Sequence, residues 1–123
     1  MSEFRQFEVE NEKGVTVLTL FETRVHEHAA IKEIGDELNR LTADESAHRI
    51  LFDMKDVDFL SSAVLNRLIV LDKQLKNVGG QIVFCNLRPQ IEEVFSITKL
   101  NKLFHIYETR KEAVDAMAAK DEE

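Results

Sequence analysis

Residues Leu51–Leu75 read LFDMKDVDFLSSAVLNRLIVLDKQL. The stretch joins a strand to a helix, and the rest of the chain is arranged around it. Arg49–Met54 (RILFDM) is apolar on both faces, as a strand in the middle of a covered sheet must be. Lys55–Leu60 is an acidic turn carrying Asp56 and Asp58. Ser61 and Ser62 stand where a helix has to begin. Val64, Leu68, Leu71, Leu75 and Val78 follow at steps of four, three, four and three, the spacing of one helical face. A serine at a helix start is a place where a phosphate can be accepted and held, because backbone N–H groups and the helix dipole both favour an anion.

Working outward, Gly79-Gly80 ends this helix, with Gly79 suited to the left-handed C-terminal position. Gln81–Leu87 (QIVFCNL) is a second buried strand. Pro89 fits the first turn of a short helix over Pro89–Thr98, whose apolar face is Ile91, Val94 and Phe95. Phe104–Tyr107 is the last strand, and Arg110–Ala119 the last helix, buried through Ala113, Val114 and Met117. Upstream, Phe4–Glu10 alternates as an edge strand. Asn11–Gly14 (NEKG) is a tight turn, and Val15–Phe21 (VTVLTLF) completes an antiparallel hairpin. Glu22–Glu27 leads into a helix marked by Ile31, Ile34, Leu38 and Leu41. Gly35 lies inside that helix, where it costs about 1 kcal/mol against alanine and suggests a close packing contact. The order ββαβαβαβα predicts an α/β domain: a mixed, largely parallel sheet of about five strands with an antiparallel N-terminal edge strand. The chain of 123 residues reads as a single domain with a structured core over about residues 4–117.

Composition narrows the function. The net charge of −7 argues against nucleic acid and against an anionic membrane surface, both of which need a positive face. No apolar run approaches the ~18 residues of a membrane span, and the first residues lack the apolar core of a signal peptide. Cys85 is the only cysteine and sits in an apolar strand, where a small buried hydrophobe is its ordinary role. A reducing, cytoplasmic location is expected. His26 and His28 stand two apart without a third ligand, and His48 and His105 are isolated, so no metal site is expected. Asp56 and Asp58 fit turn aspartates that bond their own backbone better than acid–base catalysts. No catalytic motif occurs, so the reading is of a non-enzyme without a cofactor.

The serines carry two readings from the residues alone. Either Ser61 or Ser62 can be an N-cap, and neither has the Glu or Gln of a capping box, because Val64 and Leu65 occupy those positions. The alternative is a phosphoacceptor.

Val57–Leu71 (VDFLSSAVLNRLIVL) resembles the signature F-I-[D/S]-S-[S/T/A]-G-L-G of the STAS domain family, in its anti-sigma-factor antagonist type. Gly79–Met117 is similar to the C-terminal half of that family throughout, and the resemblance spans about Phe4 to Met117. Matched position by position, Ser62 takes the place of the phosphorylated serine, with Ser61 as runner-up in the place often held by aspartate. Val64 and Asn66 stand where the family has glycine, and His26 lies near the position of an acidic residue of the first loop. The resemblance implies a STAS-like fold and a phosphorylation switch. The unphosphorylated domain binds an anti-sigma factor that is also a serine kinase, and phosphate on Ser62 ends the complex. The implied partner surface is His26, Asp56, Asp58, Ser61, Ser62, Asn66 and Arg67. The alternative is a constitutive docking module, without phosphorylation, in a scaffold or lipid-transport complex.

Overall fold

The computed structural model describes residues 7–20, 24–25, 32–33, 35–37, 39–40, 49–77 and 79–121. The chain opens with strands β1 (Phe7–Glu12), β2 (Val15–Leu20) and β3 (Arg24–Val25). Helix α1 follows, helical at each described residue between 32 and 40. Then come β4 (Arg49–Asp53), β5 (Phe59–Leu60), α2 (Ser62–Lys76), β6 (Gln81–Cys85), α3 (Pro89–Ile97), α4 (Leu100–Leu103), β7 (His105–Tyr107) and α5 (Arg110–Asp121). Five strands make one sheet in the order β1-β2-β4-β6-β7. β1 and β2 are antiparallel and every other pair is parallel, as the pattern of strands and helices predicts.

The hairpin turn has only two residues, and both have positive φ: Lys13 at 52° and Gly14 at 83°. That geometry matches the twist of the strands it joins. It is tighter than the four-residue turn the sequence suggests, because β1 runs on to Glu12, opposite Val15.

The two faces of the sheet bury different side chains, since alternate residues of a strand point opposite ways. Leu18, Ile50, Phe52, Ile82 and Phe84 face α2, α3 and α4, against Val64, Leu68, Leu71, Leu75, Ile91 and Phe95. Val15, Val17, Leu51, Val83 and Cys85 face α5, against Ala113, Val114 and Met117. Phe84 is the hub of the first face. Its ring stacks on Phe52 at 5.5 Å between centroids and meets Phe95 and Phe104 edge-on at 5.1 and 5.0 Å.

The apolar stripe of α2 falls where its spacing puts it, with Val64 and Leu68 2% and 3% exposed. Leu65 and Asp72 are buried beside it, and Lys76 Nζ lies 3.0 Å from Asp72 Oδ2. The helix closes through Gly79, at φ 80°: Gly80 N–H donates to the Leu75 carbonyl at 2.7 Å and Gly79 N–H to that of Lys76 at 3.3 Å. A Cβ at Gly35 would stand 3.4 Å from Arg67 Nε, so the side chain of Arg67 lies against α1. This is the close contact expected at that glycine. Ile31, Ile34, Leu38, Leu41 and Val78 lie outside the described residues.

Three differences have local causes. β6 stops at Cys85 rather than Leu87 because Asn86 turns to φ 56°, a conformation asparagine tolerates. α4 is a single turn entered through the left-handed Lys99, too short to show a period. β3 and β5 pair with each other in parallel as a separate two-stranded sheet, again too short for a hydrophobic pattern.

Because Phe84 touches three other rings and is fully buried, Phe84→Ala should lower unfolding free energy by ~3–5 kcal/mol. Urea denaturation followed by circular dichroism measures it. A loss under about 1 kcal/mol would mean the aromatic cluster is not what holds this face.

Candidate functional site

The loop after β4 is built on Asp53. Its carboxylate is 2% exposed and accepts Lys55 N–H at 3.2 Å and the Asn86 side-chain amide at 3.1 Å. Arg110 Nη1 lies 3.9 Å from the other oxygen. The turn Met54–Val57 then closes on itself, Val57 N–H donating to the Met54 carbonyl at 3.0 Å, while Met54 N–H donates to the Cys85 carbonyl. Val57 and Leu60 are buried, so the intervening side chains are turned outward: Asp56 and Phe59 are exposed and Asp58 is half-buried. β5 pairs with β3 through Arg24–Phe59 and Val25–Leu60, which sets the direction in which the loop enters α2.

The two serines have separate positions. Ser61 is the N-cap, in extended conformation, and its Oγ accepts Val64 N–H at 3.3 Å. Its carbonyl accepts Leu65 N–H at 3.2 Å, the first bond of the helix. Ser62 is the first helical residue and is exposed, as is Ala63 after it. No acidic residue lies in the first turn of α2.

Asp58 does not serve its own backbone. Arg88 Nη1 donates to its carboxylate at 2.8 Å and Gln90 Nε2 at 3.2 Å, and Arg88 Nε donates to the Lys55 carbonyl at 2.8 Å. The residue that bonds the turn backbone is Asp53. Arg88 is therefore a site residue the sequence reading missed. Its one local signal is its place before Pro89, at the head of α3, where its own side chain makes no cap. Both partners are over a third exposed, so the pair orders the loop more than it stabilises the fold.

Asn66 and Arg67 lie exposed on the outer side of α2. Arg67 borders a shallow cleft of about 70 Å³ with Gly35, Asn39 and Val70, and Val70 is 45% exposed. The structure thus brings Asp56, Asp58, Ser61 and Ser62 onto one loop and helix start, with Asn66 and Arg67 one turn further along α2. His26 lies outside the described residues, as do His28 and His48; His105 is in β7.

Two charged or reactive groups lie beneath the loop. The Cys85 thiol is fully buried, and desolvation first, then the nearby Asp53 charge, pushes its pKa up to about 12. A thiol so placed is not a nucleophile. For Arg110, burial works against the charge, but hydrogen bonds with Glu10 and Glu12 outweigh it and hold its pKa above the ordinary value. Among the described residues, no group of three or more His, Cys, Asp or Glu is placed to hold a metal ion. No helix among them is long and apolar enough to cross a membrane.

The sequence pattern of the STAS domain family matches residues 6–113. The chain belongs to the STAS domain family. Over 73 residues this STAS domain is 34% identical to BtrV of Bordetella bronchiseptica, named as a candidate anti-sigma factor antagonist. That match covers 59% of the chain and 63% of BtrV, so the chain is matched to less than two thirds of that relative's length. Among solved structures, it superposes on an anti-sigma-factor antagonist STAS domain protein from Planctomyces limnophilus with a TM-score of 0.78 and 25% identity, covering 91% of this chain and 97% of that one. It also shares its fold with SpoIIAA in the unphosphorylated form, at a TM-score of 0.75 and 20% identity over 92% of this chain and 96% of SpoIIAA. SpoIIAA of Bacillus is also known in the phosphorylated form, with a TM-score of 0.69 to this chain.

Two predictions follow from the geometry of the loop base. Asp53→Ala leaves the Lys55 N–H and the Asn86 amide without their acceptor and should cost ~1–3 kcal/mol, measured by chemical denaturation; an unchanged midpoint would show that water replaces the carboxylate. Cys85 in the native chain should resist a thiol reagent at mildly alkaline pH and react fully once the chain is denatured. Rapid labelling of the folded protein would show that the α5 face opens readily.

Proposed function

We propose that this STAS domain is a regulatory binding protein of the anti-sigma-factor antagonist kind. Its docking surface is the Lys55–Ser62 loop with the exposed start of α2. Its partner is an anti-sigma factor with serine-kinase activity, and phosphorylation of Ser62 ends the interaction. The reading implies work in the cytoplasm and no catalysis by the domain itself, since the kinase brings nucleotide and metal.

The observation that carries the reading is the division of labour between the serines. Ser61 already accepts a backbone N–H as the cap, while Ser62 is exposed at the first position of the helix. A phosphate there adds about −1.5 to −2 charges at neutral pH. Within the domain it meets the positive end of α2 and no acid in the first turn. Across an interface it brings desolvation cost and repulsion from any acidic group, beside the exposed Asp56 of the same surface. The modification therefore spares the fold and acts on the partner. A loss of only ~1.4 kcal/mol weakens binding tenfold. The similarity to BtrV and the phosphorylated form of SpoIIAA support this choice. The valine at position 64 and the asparagine at 66, where the family signature has glycine, support the second reading, a module that docks without phosphorylation.

The test is mass mapping of phosphate on the protein from growing and stressed cells, together with partner binding by Ser62→Asp and Ser62→Ala. Phosphate on Ser62 that changes with condition, and binding weakened about tenfold or more by Ser62→Asp but kept by Ser62→Ala, is the expected result. The melting temperature of Ser62→Asp should stay level or rise slightly. No phosphate in either condition, with equal binding by both variants, would overturn the switch and leave the constitutive module.

A further inference from the structure

Acidic residues outnumber basic ones by 23 to 16, yet one helix shows none of them to solvent. Every other described helix longer than one turn exposes an acid: Asp36 on α1, Glu92 and Glu93 on α3, Glu112 on α5. The single acid of α2 is Asp72, which is buried with Lys76 Nζ 3.0 Å from its carboxylate. Ser62, Asn66, Val70 and Gln74 are exposed at steps of four and form a row along α2, with Arg67 and Lys73 beside it. Lys73 lies in the last turn, where the helix dipole favours a cation; Arg67 is in the middle of the helix and has no such reason to be there. Arg88 and Arg110 are held by carboxylates, and neither Arg40 nor Arg49 is free. Arg67 has no carboxylate within 4.0 Å among the described residues. It is nevertheless seated: a Cβ at Gly35 of α1 would stand 3.4 Å from its Nε and 3.5 Å from its Cζ. The exposed acid of α1, Asp36, has Lys32 and Arg40 one turn away on either side. A seated guanidinium with unused N–H donors is suited to a carboxylate from outside the domain.

The other occupants fit less well. A nucleic acid would meet two cations on a chain of net charge −7. A second copy would bring the same cations to the same face, since a two-fold contact sets a patch against itself. An acidic segment with one apolar side chain answers both features of the surface, because Val70 is 45% exposed at the rim of the cleft of about 70 Å³ that Arg67 also lines. We propose that the exposed face of α2, from Ser62 to Gln74, takes an acidic segment of the same partner that docks on the Lys55–Ser62 loop. A partner carboxylate sits on Arg67 and an apolar side chain covers Val70. The exposed Asp56 lies in the loop before the helix, so the partner's acids belong toward Arg67 and Lys73. This inference rests on the function proposed above and supplies the chemistry of its partner. Ser62 heads the row, so a phosphate on it is set before carboxylates drawn to this face, and the like charges repel.

Photo-crosslinking in the protein's own cells reads the occupant directly. p-Benzoylphenylalanine replaces Val70 on the row or, in a second variant, Phe59 on the loop; both native side chains are apolar and exposed. Mass spectrometry then sequences the captured peptide. The expected result is one partner captured from both positions, with a peptide at Val70 that holds more Asp and Glu than Lys and Arg. Its yield should fall about tenfold or more in Arg67→Glu/Lys73→Glu, and also in Ser62→Asp. Lys73→Glu alone, which leaves the Gly35 seat untouched, should lower it in part, and a circular dichroism melt checks that each variant folds. Capture from Phe59 with none from Val70 would overturn this proposal and leave the docking loop in place; capture from neither would overturn both. A neutral or basic peptide at Val70, or a yield unchanged by charge reversal, would overturn the acidic occupant. A yield unchanged only in Ser62→Asp would overturn the repulsion assigned to the phosphate.

Discussion

One buried carboxylate joins the parts of this molecule that matter for its surface. Asp53 ends the central strand with almost no access to water, so its charge has to be met by the chain around it. Lys55 N–H, the Asn86 amide and, further off, Arg110 provide this. Each belongs to a different element: the loop after β4, the residue that ends β6, and the start of α5. The loop thus rises from a base fixed on three sides, and α5 reaches the same point from the other face of the sheet. Arg110 continues the connection to Glu10 and Glu12 of the outer strand β1.

Above that base, ordering is divided between burial and pairing. Val57 and Leu60 anchor the loop from within, and the Arg88–Asp58 pair fastens it to α3 from without. What is left exposed is small: Lys55, Asp56, Phe59, Ser62 and Ala63. A pre-ordered loop loses little conformational freedom when a partner covers it, so more of the contact energy appears as affinity. The phosphorylation reading gains from the same rigidity, since a charge placed on a fixed position cannot be swung out of an interface.

How much of this could be read from the residues depends on range. The stripe of α2 was legible because four leucines and valines at helical spacing leave no other periodic reading, and the largely parallel sheet with its antiparallel first strand followed from strands alternating with helices. The ends of β6 and α2 hinge on single backbone conformations; glycine at 79 announces its own, whereas asparagine at 86 does not. β3, β5 and α4 are shorter than the period that would reveal them. In the site, both serines were legible as helix-start residues, but which one caps depends on where the loop enters the helix, and that is fixed by the β3–β5 pairing. The Arg88–Asp58 bond joins residues far apart in sequence and has no pattern of its own, which is why Asp58 read as a turn aspartate.

The sheet order has a consequence for how the chain is made. β4, at the centre, is paired with β2 on one side and β6 on the other, and both partners are distant in sequence: Thr16 lies beside Ile50, and Arg49 beside Gln81. The hairpin β1–β2 is local and can form early, but the middle of the sheet is not. As the chain leaves the ribosome, the apolar strand around Leu51 and Phe52 has a bare edge until Gln81–Cys85 emerges. During that interval the nascent chain carries an unpaired strand of the sort that aggregates, so the apolar centre of the finished sheet is made before the neighbour that covers its edge.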